Sequence, residues 1–394
     1  MQLQLNTSPR YRAPLTAADR ALFGPEVIVE VRQIMSCLDY PVTALHPMSA
    51  FARQLEIGAL LIKDESNRSP LGSFKALGGA YAVVRWVLAE AARRLGRAVA
   101  VNELKSDAVR EVARSITVTC ATDGNHGRSV AAGARLTGCR AVIYVHAGVS
   151  DARVQAIRDL GAAVVRIDGS YDDSVSEAAR VGQIEGRVLI SDTSWPGYEE
   201  IPATVMQGYL LMVDEVIDQS AACGARPTHV FLQAGVGGFA AATAAHLSLR
   251  WEEARPRFIV VEPERAACLF HSAVAHRRIR IEAAEPTVMS MLECYEPSLI
   301  AWRILERLAD AFITIGETPA LRVMQRLAEP AAPDPFVLSG ESGGAGLAGL
   351  VECASNARSR EALGIDNDSV ILTFNTEGAT DRALYDALLA TAPK

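Results

Sequence analysis

A regular alternation of short apolar runs and longer amphipathic segments constrains the fold more than any other feature of the chain. The runs at 116–120, 141–145 and 163–167 have the length and the β-branched content of buried strands. Each is followed by a segment whose apolar residues recur at helical spacing. Further runs of this kind lie at 188–190, 229–233, 258–262, 311–315 and 370–374. Strands that alternate with helices form parallel sheets with right-handed crossovers, so the sequence predicts an α/β fold.

The length of the chain predicts two lobes. At 394 residues it exceeds the size at which a single hydrophobic core usually stops growing. We predict a large domain formed by 1–83 and 201–394 and a small domain formed by 84–200. Within them, we expect the charged segment 96–114 to be an irregular surface connection and the apolar run 336–338 to be a strand.

Composition limits the classes of partner. The net charge of −7, without any basic block, argues against binding to nucleic acid or to anionic membranes. No apolar run reaches the length of a membrane span, and the first residues lack the pattern of a secretory signal. Seven cysteines and seven histidines are scattered without the spacing of a disulfide or zinc framework. We therefore expect a soluble cytoplasmic protein without a metal site.

Lys75 occupies an unusual position for a lysine. After an apolar run at 60–62, the chain turns through Pro70 and Gly72 and enters a helical pattern, with Ser73 where an N-cap belongs. Lys75 then falls in the first helical turn, where the helix dipole disfavours an ammonium group. The same field favours the neutral amine that attacks a carbonyl to form a Schiff base. The alternative is an ordinary solvated surface lysine.

Three loops follow predicted strands and precede helices, at 121–127, 234–239 and 339–344. Open α/β sheets bind their ligands at the carboxyl ends of strands. The glycine-rich loop from Gly235 to Phe239 presents successive backbone N–H groups at the start of a helix, which favours binding of an anion such as a phosphate. Because no lysine follows it as in a nucleotide P-loop, a nucleoside triphosphate is not expected.

The same glycine-rich loop is compatible with a dinucleotide. Gly235, Gly237 and Ala240 match the spacing of the dinucleotide fingerprint, and Glu262 ends the next predicted strand where a ribose-binding acid would stand. A nicotinamide-dependent oxidoreductase is therefore the remote alternative. That hypothesis leaves Lys75 and the loop at 121–127 without a role.

A lysine, an Asn-His-Gly loop and a phosphate-binding loop together fit pyridoxal phosphate. This cofactor needs a lysine for its aldehyde, a donor for its ring oxygen, an anion site for its phosphate and a partner for its ring nitrogen. The chain resembles the fold type II (tryptophan synthase β-like) pyridoxal-phosphate enzymes in four motifs. These are Ser-Phe-Lys at 73–75, Thr-Asp-Gly-Asn-His-Gly at 122–127, Gly-Val-Gly-Gly at 235–238 and Thr-Glu-Gly at 376–378.

Within that group, the chain resembles the diaminopropionate ammonia-lyase family. The motifs that narrow the resemblance are Phe-Lys-Ala-Leu-Gly-Gly at 74–79, Asp-Thr-Ser-Trp-Pro-Gly-Tyr-Glu-Glu-Ile-Pro at 192–202, Met-Gln-Gly-Tyr at 206–209 and Ser-Gly-Glu-Ser-Gly at 339–343. The resemblance covers nearly the whole chain. It implies a two-lobed, three-layer parallel-sheet fold, a homodimer and a small amino acid as substrate.

The resemblance also implies a role for individual residues. Lys75 would hold the cofactor and move protons, and Asp123 and Asp192 would be the two acid/base carboxylates. The cofactor-binding residues would be Lys75, Phe74, Asn125, Gly235, Val236, Gly237, Gly238, Phe239, Glu341 and Thr376. The substrate-binding residues would be Thr122, Gly124, His126 and Tyr295. Among them, Asn125 would bind the ring hydroxyl oxygen, and the neutral hydroxyl of Thr376 would meet the pyridine nitrogen and leave it unprotonated.

The implied reaction is α,β-elimination of 2,3-diaminopropionate to pyruvate and ammonia. Two carboxylates on opposite faces of the α-carbon could serve both enantiomers. A protein that binds the cofactor without turnover would be expected to lack Asp123 and Asp192, so that alternative is disfavoured.

One segment departs from the family pattern. Its Ala-Cys-Gly-Glu-Pro is Glu-Cys-Tyr-Glu-Pro at 293–297 in this chain, which puts the large ring of Tyr295 in the place of a glycine. If this segment lines the substrate pocket, elimination or β-replacement on another amino acid becomes the alternative within the group. Cys268 and Cys294 flank the same region, and we expect them to be close together and reduced.

Overall fold

The structure is a computed structural model that describes residues 1–122, 124–169, 171–283 and 285–391. The chain forms two compact units. The first comprises Met1–Val27, Val42–Ser73 and Met212–Lys394, and the second comprises Ile28–Pro41 and Phe74–Leu211. The predicted assignment of a large cofactor-binding domain to 1–83 and 201–394 and of a small domain to 84–200 stays a prediction.

The strands are β1 Gln2–Leu5, β2 Leu45–Pro47, β3 Ala59–Asp64, β4 Thr117–Ala121, β5 Arg140–His146, β6 Ala163–Ile167, β7 Val188–Leu189, β8 His229–Gln233, β9 Arg257–Pro263, β10 Ala311–Ile315 and β11 Val370–Asn375. The helices are α1 Ala17–Phe23, α2 Val27–Met35, α3 Ser49–Gln54, α4 Lys75–Leu95, α5 Asp107–Arg114, α6 Asn125–Thr137, α7 Asp151–Arg158, α8 Tyr171–Glu185, α9 Glu200–Gly208, α10 Leu210–Ala222, α11 Gly238–Trp251, α12 Cys268–Ala275, α13 Leu299–Leu308, α14 Glu317–Ala328, α15 Ala345–Ala354, α16 Ala357–Leu363 and α17 Arg382–Thr391. Among the residues described, no helix has both the length and the apolar character needed to cross a bilayer.

The first unit is built on a seven-stranded sheet in the order β1-β10-β9-β8-β11-β3-β2. Its five inner strands are parallel, and the two edge strands β1 and β2 run antiparallel to their neighbours. The inner strands are buried, as their continuous Val, Ile and Phe content predicts. The second unit has a parallel four-stranded sheet in the order β6-β5-β4-β7. The predicted α/β fold with parallel sheets is confirmed.

Three local predictions were wrong. The run at 336–338 is not a strand, because Val337 donates to the carbonyl of Leu327 and the Asn375 side chain binds the carbonyl of Leu338. The segment 96–114 contains α5, whose buried face was hidden among charged residues. Ser73 is not the N-cap of α4, because it forms a β-bridge with Glu377 in the first unit.

A cluster of buried charges anchors the segment that follows β3 in the first unit. The Lys63 amine lies 2.6 Å from Glu215 Oε2, and the Arg68 guanidinium donates to both Glu65 and Glu215 at 2.6–2.8 Å. All four side chains are buried. A buried charge without its partner is strongly unfavourable, so this network holds the turn at 65–72 in one conformation.

In the second unit, helix α4 makes very close contacts with α6 and α9. A Cβ on Gly133 of α6 would lie 2.9 Å from Ala80 Cα, and one on Gly208 of α9 would lie 2.6 Å from the Leu77 carbonyl oxygen. Ser129 of α6 accepts a hydrogen bond from the Ala80 amide at 2.9 Å. Only glycine permits this approach, and the approach fixes the direction in which α4 begins.

We predict that Gly133→Ala destabilises the protein by about 1–3 kcal/mol, because its Cβ meets backbone that cannot move aside. Gly182→Ala is the matched control: it is also inside a helix, and its Cβ would meet only ordinary contacts, the nearest at 3.4 Å. That control should be neutral or slightly stabilising, since alanine favours helix. Denaturant unfolding of both variants measures the difference, and equal stability would contradict the close-packing argument.

Candidate active site

Lys75 is the first residue of α4, as the sequence predicts for a lysine in the first turn. Its Nζ lies 2.5 Å from Asp192 Oδ2, and the two side chains keep only 24% and 11% of their exposure. The helix N-terminus disfavours a positive charge on this amine, whereas the carboxylate favours it. The structure therefore brings together two of the three predicted catalytic residues.

Asp192 stands in the connection between β7 and α9, which Tyr198 holds in place. The Tyr198 hydroxyl donates to the Leu189 carbonyl at 2.6 Å and accepts from the Ser191 amide at 3.1 Å. Its ring stacks on Trp195 with a centroid distance of 4.4 Å. One side chain thus braces the backbone just before Asp192.

Asp192 is held in its charged form. Burial by itself would raise the pKa of Asp192, but the charge of Lys75, the His126 ring and the hydrogen bond from Lys75 hold that pKa well below its ordinary value. Asp192 is therefore a carboxylate at neutral pH, and it accepts a short hydrogen bond from the Lys75 amine.

His126 lies near Asp192, and its ring forms a hydrogen bond with the neighbouring backbone. Its Nε2 is 2.8 Å from the Ile190 carbonyl, which can only accept, so Nε2 carries the proton. Nδ1 is 4.0 Å from Asp192 Oδ2. Burial lowers the pKa of His126, so the ring is neutral at neutral pH. This geometry fits the expected positioning role rather than that of a proton donor.

The Asn-His-Gly loop is organised by Thr122. The Thr122 hydroxyl accepts from the amides of Gly124 and Gly127 at 2.9 and 3.0 Å. Gly124 has φ +147°, which requires glycine, and Asn125 begins α6 with its side chain buried. The predicted catalytic residue Asp123 lies outside the described residues.

Two aromatic rings pack beside Lys75. The Phe74 and Tyr209 rings lie 4.9 Å apart, and Tyr209 is almost fully buried. A Cβ on Gly78 would lie 2.5 Å from the Tyr209 ring. Tyr209 was not among the predicted site residues, although the Met-Gln-Gly-Tyr motif that contains it was the available signal.

The predicted phosphate loop lies in the first unit at the start of α11. Gly237 has φ +94°, and a Cβ on Gly235 would lie 2.9 Å from Cys294 Sγ. Gly238 is the first residue of the helix, and the Phe239 ring packs edge-on against Phe374 at 5.2 Å. Side chains are excluded here by space and by conformation, so backbone N–H groups form the surface, as an anion site requires.

Thr376 follows β11 in the first unit and is buried. Its hydroxyl accepts a hydrogen bond from Gln233 Nε2 at 2.9 Å, and its amide donates to the Gly343 carbonyl. Glu341 is buried in the loop that precedes α15.

Tyr295 is half-buried and tethered. Its hydroxyl donates to Glu293 Oε1 at 2.7 Å, while Glu293 Oε2 accepts from the Thr287 amide. Cys268 and Cys294 both lie beside Gly235 and form no disulfide, and Cys268 Sγ lies 3.7 Å from the Gly235 carbonyl oxygen.

Glu262 is engaged in a way that excludes binding to a ribose. It is fully buried, and its two oxygens accept from the amides of Leu269 and Phe270 at 2.8 and 2.6 Å. Burial raises the pKa of Glu262 to about 8. The carboxyl group that the dinucleotide hypothesis assigns to a ribose therefore binds the backbone amides at the start of α12 instead.

These residues fit pyridoxal phosphate. In the second unit, Lys75 is a partly exposed amine. In the first unit, a Cβ on Gly235 or Gly237 would meet a neighbouring side chain at 2.9 or 3.0 Å, so bare backbone is required there, and Thr376 offers a hydroxyl. The described residues contain no group of three or more His, Cys, Asp or Glu side chains that could hold a metal ion.

Comparison with known proteins agrees with this chemistry. The sequence model of the family described as "Pyridoxal-phosphate dependent enzyme" matches residues 38–377. The chain belongs to this family. Diaminopropionate ammonia-lyase from Salmonella typhimurium is 37% identical over 359 residues, which cover 89% of this chain and 88% of that protein.

Solved structures of this pyridoxal-phosphate enzyme family share the fold. The chain superposes on Escherichia coli diaminopropionate ammonia-lyase in complex with D-serine with a TM-score of 0.88 and 32% identity, over 98% of this chain and 96% of that one. Threonine deaminase from Solanum lycopersicum, at 18% identity and a TM-score of 0.73, shares the fold alone. This chain is therefore a fold type II pyridoxal-phosphate enzyme and a lyase of the diaminopropionate ammonia-lyase family.

We predict that Tyr198→Phe lowers both stability and turnover of this pyridoxal-phosphate enzyme. Two backbone groups lose their partner, which costs about 1–3 kcal/mol when they stay unsatisfied, and Asp192 loses its brace. Tyr385→Phe is the control, because the hydroxyl of this buried residue has no hydrogen bond within the described part of the chain. Thermal unfolding and steady-state turnover measure both effects. Equal behaviour of the two variants would show that Asp192 is positioned without Tyr198.

Proposed function

We propose that this protein eliminates the β-amino group of 2,3-diaminopropionate and that hydrolysis then releases the α-amino group. One molecule of substrate and one of water give pyruvate and two molecules of ammonia. The observation that carries the proposal is the Lys75–Asp192 pair at the start of α4, at 2.5 Å. The reaction requires a lysine for the cofactor and a group that moves protons beside it, and this pair supplies both.

Pyridoxal phosphate would be held through Lys75, with the glycines at 235–238 around its phosphate, Asn125 toward its ring oxygen and Thr376 toward its ring nitrogen. When bound, the cofactor supplies an electron sink that stabilises negative charge at the substrate α-carbon. Phe74, Phe239 and Glu341 complete the proposed cofactor-binding residues.

The protein's own residues handle the protons. An amine leaves only after it is protonated, so a general acid must reach the β-amino group. His126 is neutral, and its only N–H group donates a hydrogen bond to the Ile190 carbonyl, so it cannot be that acid. We assign this role to the proton shared by Lys75 Nζ and Asp192 Oδ2.

Substrate recognition is assigned to the loop that begins at Thr122. The start of α6, with Gly124 and His126, would bind the substrate carboxylate, since a helix N-terminus favours an anion. Asp123 would provide a second base, on the opposite face of the α-carbon from Asp192. Two bases would allow both enantiomers to lose their α-proton.

We further propose a cytoplasmic homodimer. Seven cysteines scattered without the spacing of a disulfide framework support a reducing compartment, since disulfides form in oxidising ones. The homodimer rests on resemblance to the family.

The first test is release of pyruvate from D- and from L-2,3-diaminopropionate. We expect turnover of both enantiomers, no turnover in Lys75→Ala, and losses of roughly 10²–10⁴-fold in Asp123→Asn and Asp192→Asn, the usual contribution of a general acid or base. The two Asn variants should differ in which enantiomer they lose more.

Equal losses for both enantiomers in both Asn variants would contradict the two-base proposal while leaving the lyase reaction intact. A holoenzyme that converts neither enantiomer would contradict the proposed substrate. The visible absorbance of the bound cofactor, measured on the same samples, shows whether each variant still holds it.

A second candidate function is elimination or β-replacement on a different amino acid, and Tyr295 is the observation that favours it. The curated relatives include proteins named "Probable D-serine dehydratase", one of them 26% identical over 304 residues. The hydrogen bond to Glu293 holds the Tyr295 ring in one position, so the ring can limit the size of the substrate.

We predict that Tyr295→Gly changes substrate preference and Tyr295→Phe does not. Removal of the ring opens space and should raise kcat/KM for bulkier amino acids with a β-leaving group, relative to diaminopropionate, by roughly tenfold or more. The Phe variant keeps the ring and loses only the bond to Glu293. Competition assays measure the ratio, and a wild-type preference in both variants would exclude Tyr295 as a determinant of the substrate.

A further inference from the structure

Gln233 is a buried amide that the proposed reaction does not use. It is the last residue of β8, comes directly before the glycine-rich loop and is 2% exposed. Its Nε2 lies 2.6 Å from the Gly343 carbonyl, 3.0 Å from the Phe374 carbonyl and 2.9 Å from Thr376 Oγ1. One amide thus joins the ends of β8 and β11 to the loop before α15.

The orientation of this amide is determined by its neighbours. Two of the three atoms around Nε2 are carbonyl oxygens, which accept and never donate. If the amide were flipped, Oε1 would face both of them, so the nitrogen must be on this side. On the other side, a Cβ on Gly346 would lie 2.7 Å from Oε1, so the glycine of α15 provides the room that the amide needs.

The amide orientation limits what the Thr376 hydroxyl can do. An amide nitrogen does not accept hydrogen bonds, so Thr376 cannot donate toward Gln233. The Gly343 and Phe374 carbonyls, to which the hydroxyl could otherwise donate, are already bound by Nε2. The Gly343 carbonyl also accepts from the Thr376 amide, so both of its lone pairs are engaged. The network therefore favours a hydroxyl proton that points away from it.

We propose that Gln233 is a positioning residue that commits the Thr376 hydroxyl to donate a hydrogen bond to the ring nitrogen of pyridoxal phosphate. This inference rests on the proposed function, in which Thr376 meets that nitrogen. Gln233 Nε2 shares its two protons among the two competing carbonyls and the hydroxyl oxygen of Thr376. A pyridine nitrogen without a proton then receives a hydrogen bond and stays neutral.

Loss of the Gln233 amide should turn the Thr376 hydroxyl proton toward the Gly343 and Phe374 carbonyls. In Gln233→Met, a side chain of similar length provides no donor, so the Gly343 and Phe374 carbonyls lose the bond from Nε2, and Gly343 keeps the one from the Thr376 amide. The lone pairs that Nε2 occupied then become available, and the Thr376 hydroxyl would donate to one of them. Gln233→Asn keeps an amide that is too short to reach Thr376, and it should behave in the same way.

The test compares binding of pyridoxal phosphate with that of its deaza analogue, in which a C–H group replaces the ring nitrogen. Both form the same bond to Lys75, so the ratio of their dissociation constants from the reconstituted full-length protein isolates the bond to the nitrogen. We expect Thr376→Val, Gln233→Met and Gln233→Asn each to reduce the preference for pyridoxal phosphate by a factor of roughly 3 to 10, the contribution of one hydrogen bond. The double variant Gln233→Met with Thr376→Val should lose no more than either single change.

A second readout is the ¹⁵N chemical shift of labelled cofactor, which should move toward that of a nitrogen without a hydrogen bond in the same variants. Thr373→Val is the control. It removes another buried hydroxyl of β11, one that has no hydrogen-bond partner in the described chain, and should leave ratio and shift unchanged.

The outcomes separate the two proposals. If Thr376→Val lowers the ratio and the Gln233 variants keep the wild-type ratio and shift, the positioning role of Gln233 is wrong. If Thr376→Val itself changes neither, the proposed contact of Thr376 with the ring nitrogen is wrong, whatever the pyruvate assay gives. If one Gln233 variant does not fold, the other Gln233 variant decides the positioning role, and Thr376→Val decides the contact with the ring nitrogen.

Discussion

The chemistry of the second unit depends on one ion pair at the beginning of a helix. Lys75 starts α4, where the helix dipole opposes a positive charge, and Asp192 lies 2.5 Å away and favours it. The two effects act on the same nitrogen, so its charge responds to the distance from a single carboxylate. This explains why the short connection at 189–192 is held from two sides, by the Tyr198 hydroxyl and by the His126 ring.

The same unit explains why two motifs far apart in the sequence belong together. The glycines at 78–79 follow Lys75 within α4, and Gly208 and Tyr209 belong to the Met-Gln-Gly-Tyr motif. In the structure Tyr209 packs on Gly78, and Gly208 approaches the Leu77 carbonyl. The glycines are needed where the two helices approach each other closely. The large Tyr209 fills the space beside Gly78. The residues of these two motifs therefore determine the helix packing that orients Lys75, in addition to any contact with substrate.

Much of the fold could be predicted from the sequence, because buried parallel strands leave long apolar runs that need no partner to be recognised. The edge strands β1 and β2 escaped prediction, since each is short and only half-buried, and its pairing is not local. The helix α5 was missed because its few buried positions lie among charges. For the site, the motif residues could be named in advance, but the roles of Tyr198 and Gln233 could not. Both act through hydrogen bonds to backbone, which leave no periodicity.

The surroundings of Thr376 suit a hydroxyl better than a carboxylate. Three acceptor oxygens converge on the single amide nitrogen of Gln233, which has two protons to share among them. A carboxylate at 376 would add negative charge beside two carbonyl oxygens, and burial would then raise its pKa and favour the neutral acid. A hydroxyl needs no counter-charge, and it can accept from Gln233 while it donates elsewhere. A ring nitrogen that faces such a hydroxyl keeps its lone pair, and the resulting weaker electron sink suits elimination of a β-substituent.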